Sequence, residues 1–283
     1  MSGQDELGGS IELIRQLLNL VEANQEIAVM RIAQLREAVL QTRSLAQGLA
    51  DVYTEVRTSH VQEMAEEERR QHRSGSALVL LSTNERLAGP ITAITARHFI
   101  EQASTTADDI VIVGRIGQER FQAAFPNRSV IGFDIPQQDV ALEQLAPLLK
   151  QLLRYQRLTL VYPTFENVIS QKPAVQEIGT TFSEELAQRT RPKQPTVSRY
   201  IFEPSLAEVV KFFDRELFGL VMRQFFSELD LAMVGSRITS LETASTTIAQ
   251  EVESLEHQRR VKRRERRNQK QRERLAGRRL WAV

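Results

Sequence analysis

Apolar residues recur at alternating steps of three and four from Ile11 through Ile14, Leu18, Val21, Gln25, Ala28, Ile32, Leu35, Val39, Thr42, Ala46, Leu49, Tyr53 and Val56. Twelve of these fourteen positions are apolar or aromatic. A surface helix on a globular core follows a period of about 3.6 residues and drifts off such a register within a few turns. Spacing held at about 3.5 predicts a left-handed coiled coil. A second series runs through Val210, Phe213, Leu217, Leu220, Gln224, Ser227, Leu231, Val234, Ile238, Leu241, Ser245, Ile248, Val252 and Leu255. The two seams match in length, about 68 Å each at the helical rise, and the match predicts that they pair antiparallel with each other. The last helix then overhangs its partner beyond residue 256, where the seam positions become Arg259, Lys262, Arg266, Gln269 and Glu273. That stretch offers no apolar face to a second helix.

Between the seams the pattern changes. The runs Ala77–Leu81, Ile110–Val113, Val130–Phe133 and Leu158–Tyr162 are short and mostly β-branched, whereas 91–103 and 138–154 carry helical spacing. This order predicts βαβ crossovers and a parallel sheet. Residues Gln171–Arg199, with three prolines and many polar residues, read as an irregular excursion or hairpin returning to a strand around Arg199–Phe202. Glu203-Pro204-Ser205 ends that strand, with Ser205 as N-cap and Glu208 as its capping-box partner. The expected fold is therefore a long antiparallel two-helix coiled coil with an inserted Rossmann-like α/β domain. Its boundaries are 1–72 for the first helix, 73–203 for the insert and 204–283 for the last helix with its basic tail.

Charge separates that tail from the rest. Of a net charge of +1, residues 256–283 contribute twelve Lys/Arg against three Glu, so the remainder is acidic. Phosphate or anionic lipid is compatible with this run, but it has no aromatic for base stacking before Trp281. The acidic–basic run Glu63–Arg73 reads as a solvated helix end or linker. With no Cys and only four scattered His, thiolate catalysis and Cys-ligated metal are excluded, and no metal or cofactor is expected. The opening MSGQDELGGS holds two acids and no base, unlike a secretory or transit leader. No apolar run is long enough to span a bilayer, so the expected location is cytosolic.

Two loops invite a ligand reading. Val113-Gly114-Arg115-Ile116-Gly117 follows a strand and precedes a helix but misses the spacing of a dinucleotide loop. Ser82-Thr83-Asn84-Glu85-Arg86-Leu87-Ala88-Gly89-Pro90 lies at the carboxyl end of the first strand, where α/β sheets bind ligands, without a phosphate cradle. Both read better as structural turns.

The order of several segments resembles the gamma subunit of F-type ATP synthases over nearly the whole chain. Tyr200-Ile201-Phe202-Glu203-Pro204-Ser205 is similar to the motif that opens that family's last helix. Val161-Tyr162 with Phe165-Glu166-Asn167-Val168-Ile169-Ser170-Gln171-Lys172-Pro173 resembles its V-Y-N-x-F-x-S segment. Leu81–Gly89 and Ile112-Val113-Gly114-Arg115 stand where the family has S-D-R-G-L-C-G-G and V-I-G-R-K-G. There are two departures. Ala28-Val29-Met30-Arg31-Ile32-Ala33 keeps only part of the family's A-M-K-M-V-A, and the charged run Arg259–Arg274 replaces an apolar stretch at the end of the last helix.

The resemblance implies a bacterial central rotor-stalk subunit without an active site of its own, held peripherally at the cytoplasmic face of the cell membrane. Its partners would be the alpha and beta subunits, the epsilon subunit and the membrane c-ring, with no nucleotide bound directly. Residues 11–35 and 235–283 would lie inside the alpha/beta hexamer, with Arg31, Arg36, Arg259, Lys262 and Arg266 as partner contacts. A non-rotary coiled-coil adaptor with a basic tail for nucleic acid or anionic membrane is the rival reading, and an enzyme using the α/β insert is a third.

Overall fold

The structure, a computed structural model, describes residues 3–59, 75–86, 88–136, 140–179, 203 and 205–280. The expected strand at Arg199–Phe202, the run Glu63–Arg73 and Trp281 lie outside the described residues, as do the side chains of Val39, Thr42, Ala46, Val56 and Val210.

A helix from Gly3 to Ser59, α1, opens the chain, and a helix from Leu206 to Leu280, α5, follows the insert. Between them lie β1 (Ser76–Leu81), α2 (Ile91–Thr105), β2 (Asp109–Val113), α3 (Arg115–Ala124), β3 (Ile131–Phe133), α4 (Leu142–Leu152), β4 (Arg157–Phe165) and β5 (Gln171–Gly179). The chain divides into two compact units, Met1–Val29 with Ile238–Val283, and Met30–Arg237.

In the larger unit the strands form one sheet of order β3-β2-β1-β4-β5. Four strands are parallel, and their crossovers place α2 and α3 on one face. Leu78, Leu80, Ile110, Ile112 and Val161 meet Phe99, Ala103 and Phe121 there. On the other face Ala77, Val79, Leu81, Val111, Val113, Leu160 and Tyr162 pack with Leu145, Leu148 and Leu152 of α4 and with Phe218, Met222, Phe226, Leu229 and Met233 of α5. These five α5 residues follow steps of four and three, so one stripe of the long helix closes the sheet. Burial on both sides is why the central strands read as nearly continuous apolar runs, with Thr159 the one polar residue between Leu158 and Tyr162.

The fifth strand corrects the expectation for Gln171–Arg199. Its first part is regular: β5 pairs antiparallel with β4 from Phe165↔Gln171 to Arg157↔Gly179. It escaped the pattern because it is an edge strand. Only Ile178 is buried among its described side chains, so an edge of Lys, Pro, Gln and Glu carries no apolar alternation. The turn between β4 and β5 is held by Asn167, whose Oδ1 accepts the N–H groups of Ile169 and Ser170, each at 2.9 Å. Glu166 pairs with Lys172 across it, and that hydrogen bond, helped by Ser170, holds the exposed carboxyl below its ordinary pKa.

At the start of α5 the Ser205 hydroxyl accepts the Glu208 N–H at 3.3 Å and its carbonyl accepts that of Val209 at 3.2 Å, the geometry of an N-cap.

Candidate functional site

In the smaller unit the two end helices lie side by side. Arg15 pairs with Glu256, and Gln25 donates to Glu242 at 2.5 Å. The partner's number falls as the first helix's number rises, so the pair is antiparallel. Ile11 and Ala28 are buried, and Ile14, Leu18 and Val21 are half-buried, opposite a stretch of α5 where Ile238 is buried and Leu241, Ile248, Val252 and Leu255 are half-buried. Most positions between these are exposed.

The larger unit repeats the arrangement. Tyr53 of α1, 1% exposed, meets Phe213 of α5 edge to face with ring centroids 5.6 Å apart. Ile32, Leu35 and Leu49 are half-buried there, and Leu231 and Val234 are buried. Of the cations expected to contact partners, Arg31 is half-buried, and Arg36, Arg259, Lys262 and Arg266 are exposed.

Three consecutive residues of α5 meet the hairpin base, the start of α2 and the β1–α2 turn in succession. An added Cβ on Gly235 would lie 2.9 Å from the Phe165 ring and 3.0 Å from the Gln171 amide nitrogen, so the absence of a side chain at Gly235 lets these two side chains at the hairpin base seat on the helix. Ser236 Oγ accepts the Ile91 N–H at 3.3 Å, at the first turn of α2. Arg237 forms an ion pair with Glu85 in the β1–α2 turn. That turn is in turn tied to its neighbours. Thr83 Oγ1 accepts the Glu85 N–H and Asn84 Oδ1 the Arg115 N–H, each at 2.8 Å, while the Asn84 amide donates to Asp134 and, at 3.2 Å, to the Ile135 carbonyl. Two segments singled out in the sequence, Leu81–Gly89 and Phe165–Gln171, thus converge on Gly235-Ser236-Arg237 of the last helix. The convergence was invisible to spacing, because Glu85 and Arg237 are 152 residues apart.

Gly89 sits in this junction with φ +75, and a Cβ there would fall 2.3 Å from Ser236 Oγ. Gly89→Ala combines left-handed strain with that overlap, and an expected loss of about 2 kcal/mol should appear as a lower urea midpoint at unchanged m. A second contact between sheet and helix is electrostatic. Burial, reinforced by the Glu228 carboxylate, pushes the Tyr162 phenol up to about 12. A raised folded pKa means the unfolded chain loses this proton first. The contribution is therefore intact below pH about 10 and declines as pH rises toward 12. Tyr162→Phe should flatten the stability profile in that window, as read by denaturant melts across it.

One feature of α1 was hidden by its own seam. Leu13, Leu17, Leu20 and Ile27 form a second stripe at heptad spacing and are 60%, 46%, 59% and 59% exposed. Among the described residues no group of acids and His could hold a metal ion, and no helix is long and apolar enough to cross a membrane.

The sequence matches the ATP synthase family over residues 4–269. No curated protein matches it. Among solved structures, the chain is similar to a central-stalk/c-ring chain of the Tetrahymena thermophila mitochondrial ATP synthase, at TM-score 0.57 and 19% identity over 80% of this chain and 99% of that one. A rotor chain of the Euglena gracilis mitochondrial ATP synthase matches at TM-score 0.53 and 17% identity, over 91% and 99%. A second Euglena gracilis structure, of OSCP, F1 and c-ring, matches at 0.56 and 16%, over 95% and 94%. At these identities the structural likeness is one of fold. The family match spans almost the entire sequence and includes both long helices and the sheet between them, and on that ground the chain belongs to the gamma-subunit family of ATP synthases.

Proposed function

We propose that this chain is the central rotor-stalk subunit of an F-type ATP synthase, transmitting rotation of a membrane ring to the catalytic alpha/beta hexamer. The antiparallel pairing of its two end helices carries this reading. A shaft must resist twisting, and two helices locked along a shared apolar seam resist it far better than one. The junction at Gly235-Ser236-Arg237 supplies the second requirement, a grip between the α/β domain and the helix, because torque applied to the domain would reach α5 through the Phe165 ring seated on Gly235, a hydrogen bond and an ion pair. The α/β domain would face the ring and the epsilon subunit, and the paired ends would enter the hexamer. The stalk would thus be a peripheral part of a membrane complex, on the cytoplasmic side in a bacterium.

The second stripe of α1 supports a surrounding protein. Four large apolar side chains in line on one helix face are a surface that gains by being covered. Replacing Leu13 and Leu20 together with Gln should leave stability within about 0.5 kcal/mol and weaken association with the hexamer. Thermal melts and a binding titration separate the two effects. The reading as a whole is tested by expressing the full chain with its alpha and beta subunits. A stoichiometric complex with coupled ATP hydrolysis is expected. Recovery of the chain alone, bound to nucleic acid in a salt-sensitive way, would favour the adaptor instead.

A further inference from the structure

Past Glu256 the character of α5 changes within one turn: every residue from His257 to Arg274 is exposed. At helical spacing Arg259, Arg263, Arg266, Arg267, Lys270 and Arg274 fall on one face, which Arg260, Lys262 and Arg264 flank. The opposite face carries Val261, Glu265, Asn268 and Arg272. The family match continues into this segment, through residue 269.

We propose that this basic face is a docking surface for an acid-lined protein channel, so that the end of the shaft is held by charge and not by apolar packing. The inference rests on the rotor-stalk reading, which supplies the surrounding protein. Its physical ground is desolvation. A channel wall that covers six cations removes them from water, and such a burial is strongly unfavourable unless carboxylates face them. An apolar wall would therefore expel this helix, while a wall of Asp and Glu would draw it in and align it. A lipid surface fits poorly, because an interfacial helix needs an apolar face opposite its cations, and here a single Val stands among polar residues. A nucleic acid would engage the cations through phosphate alone, with no Phe, Tyr or Trp from His257 to Arg274 to stack on a base.

The decisive comparison uses the full chain assembled with its own alpha and beta subunits, measuring the dissociation constant of the stalk from the hexamer across a salt series. Two variants join the wild type: a charge reversal, Arg263→Glu with Arg267→Glu and Lys270→Glu, and an apolar set, the same three positions to Leu. All three side chains are exposed, and circular dichroism checks that each variant keeps its helix. The expected result is wild-type affinity that falls with salt, weakened on the order of 100-fold by reversal, with Leu intermediate and nearly salt-independent. Equal binding by wild type and reversal, or tighter binding by the Leu set, overturns the acidic channel while leaving the rotor reading intact. Should reversal abolish capture of duplex DNA by the wild-type chain and leave hexamer binding untouched, the face is a nucleic-acid surface and the proposal fails. A wild-type chain that forms no complex at any salt removes the rotor reading itself, and this inference with it.

Discussion

Tyr53→Ala is expected to destabilise the larger unit by about 3–5 kcal/mol, the largest single loss from the region where the two long helices meet. The ring is 1% exposed and lies edge to face with Phe213, itself 8% exposed. Truncation removes the transfer free energy of a whole aromatic side chain and leaves a cavity beside α5, which its own packing on the sheet keeps from moving in to close it. The ring pair contributes a further part, about 1 kcal/mol. Urea melts of Tyr53→Ala, Phe213→Ala and the double variant should give a coupling energy of that size, whereas Tyr53→Phe, which keeps the ring, should retain most of the stability. Losses below about 1 kcal/mol for Tyr53→Ala would mean that the ring is not packed as described.

How far the sequence reveals this architecture depends on how many sides of an element are buried. The central strands β1, β2 and β4 are covered on both faces, so Leu78 to Leu81 and Ile110 to Val113 are apolar without interruption, Leu158 to Tyr162 is broken only by Thr159, and all three are legible at once. β5 is an edge, and its QKPAVQEIG looks like a loop because hydrogen bonds to β4, which leave no mark on composition, define it. The long helices stand between these cases. Each buries a narrow seam, and the seam is legible as a heptad. The repeat that reveals Ile11, Ile14 and Leu18 also draws attention from Leu13, Leu17 and Leu20, an equally regular stripe that the structure leaves exposed.

The junction on α5 was legible only in pieces. Gly89 and Gly235 announce that something comes close, yet not what comes close, and Ser236 and Glu85 are unremarkable in type. Their meaning lies in a meeting of segments far apart in the chain, produced by packing the stripe Phe218, Met222, Phe226, Leu229 and Met233 against the sheet. Once that stripe is docked, the helix's next turn is carried past the ends of β1 and the β4–β5 hairpin. The polar contacts there follow from the apolar ones. Torque transfer of the kind proposed would use the same order, with the apolar stripe fixing the axis and Ser236 and Arg237 fixing the angle about it.

A proline tests how the two long helices differ along their length. Ala28→Pro removes an N–H from the interior of α1 and drives a ring into the preceding turn, at a cost of about 3 kcal/mol or more. Ala28 is 4% exposed, so the kink also lifts Ile11, Ile14, Leu18 and Val21 away from their antiparallel partner, and the smaller unit should lose its cooperative unfolding transition. Lys270→Pro makes the same local insult where no neighbouring side chain is buried. There the helix depends on its own backbone bonds, so residues beyond the proline fray while the seam is untouched. Far-UV circular dichroism should fall slightly for Lys270→Pro with an unchanged urea midpoint, and fall sharply with a lowered midpoint for Ala28→Pro. Equal midpoints in the two variants would mean that the amino-terminal helix draws no stability from the seam, and a shaft built on that pairing could carry no torque.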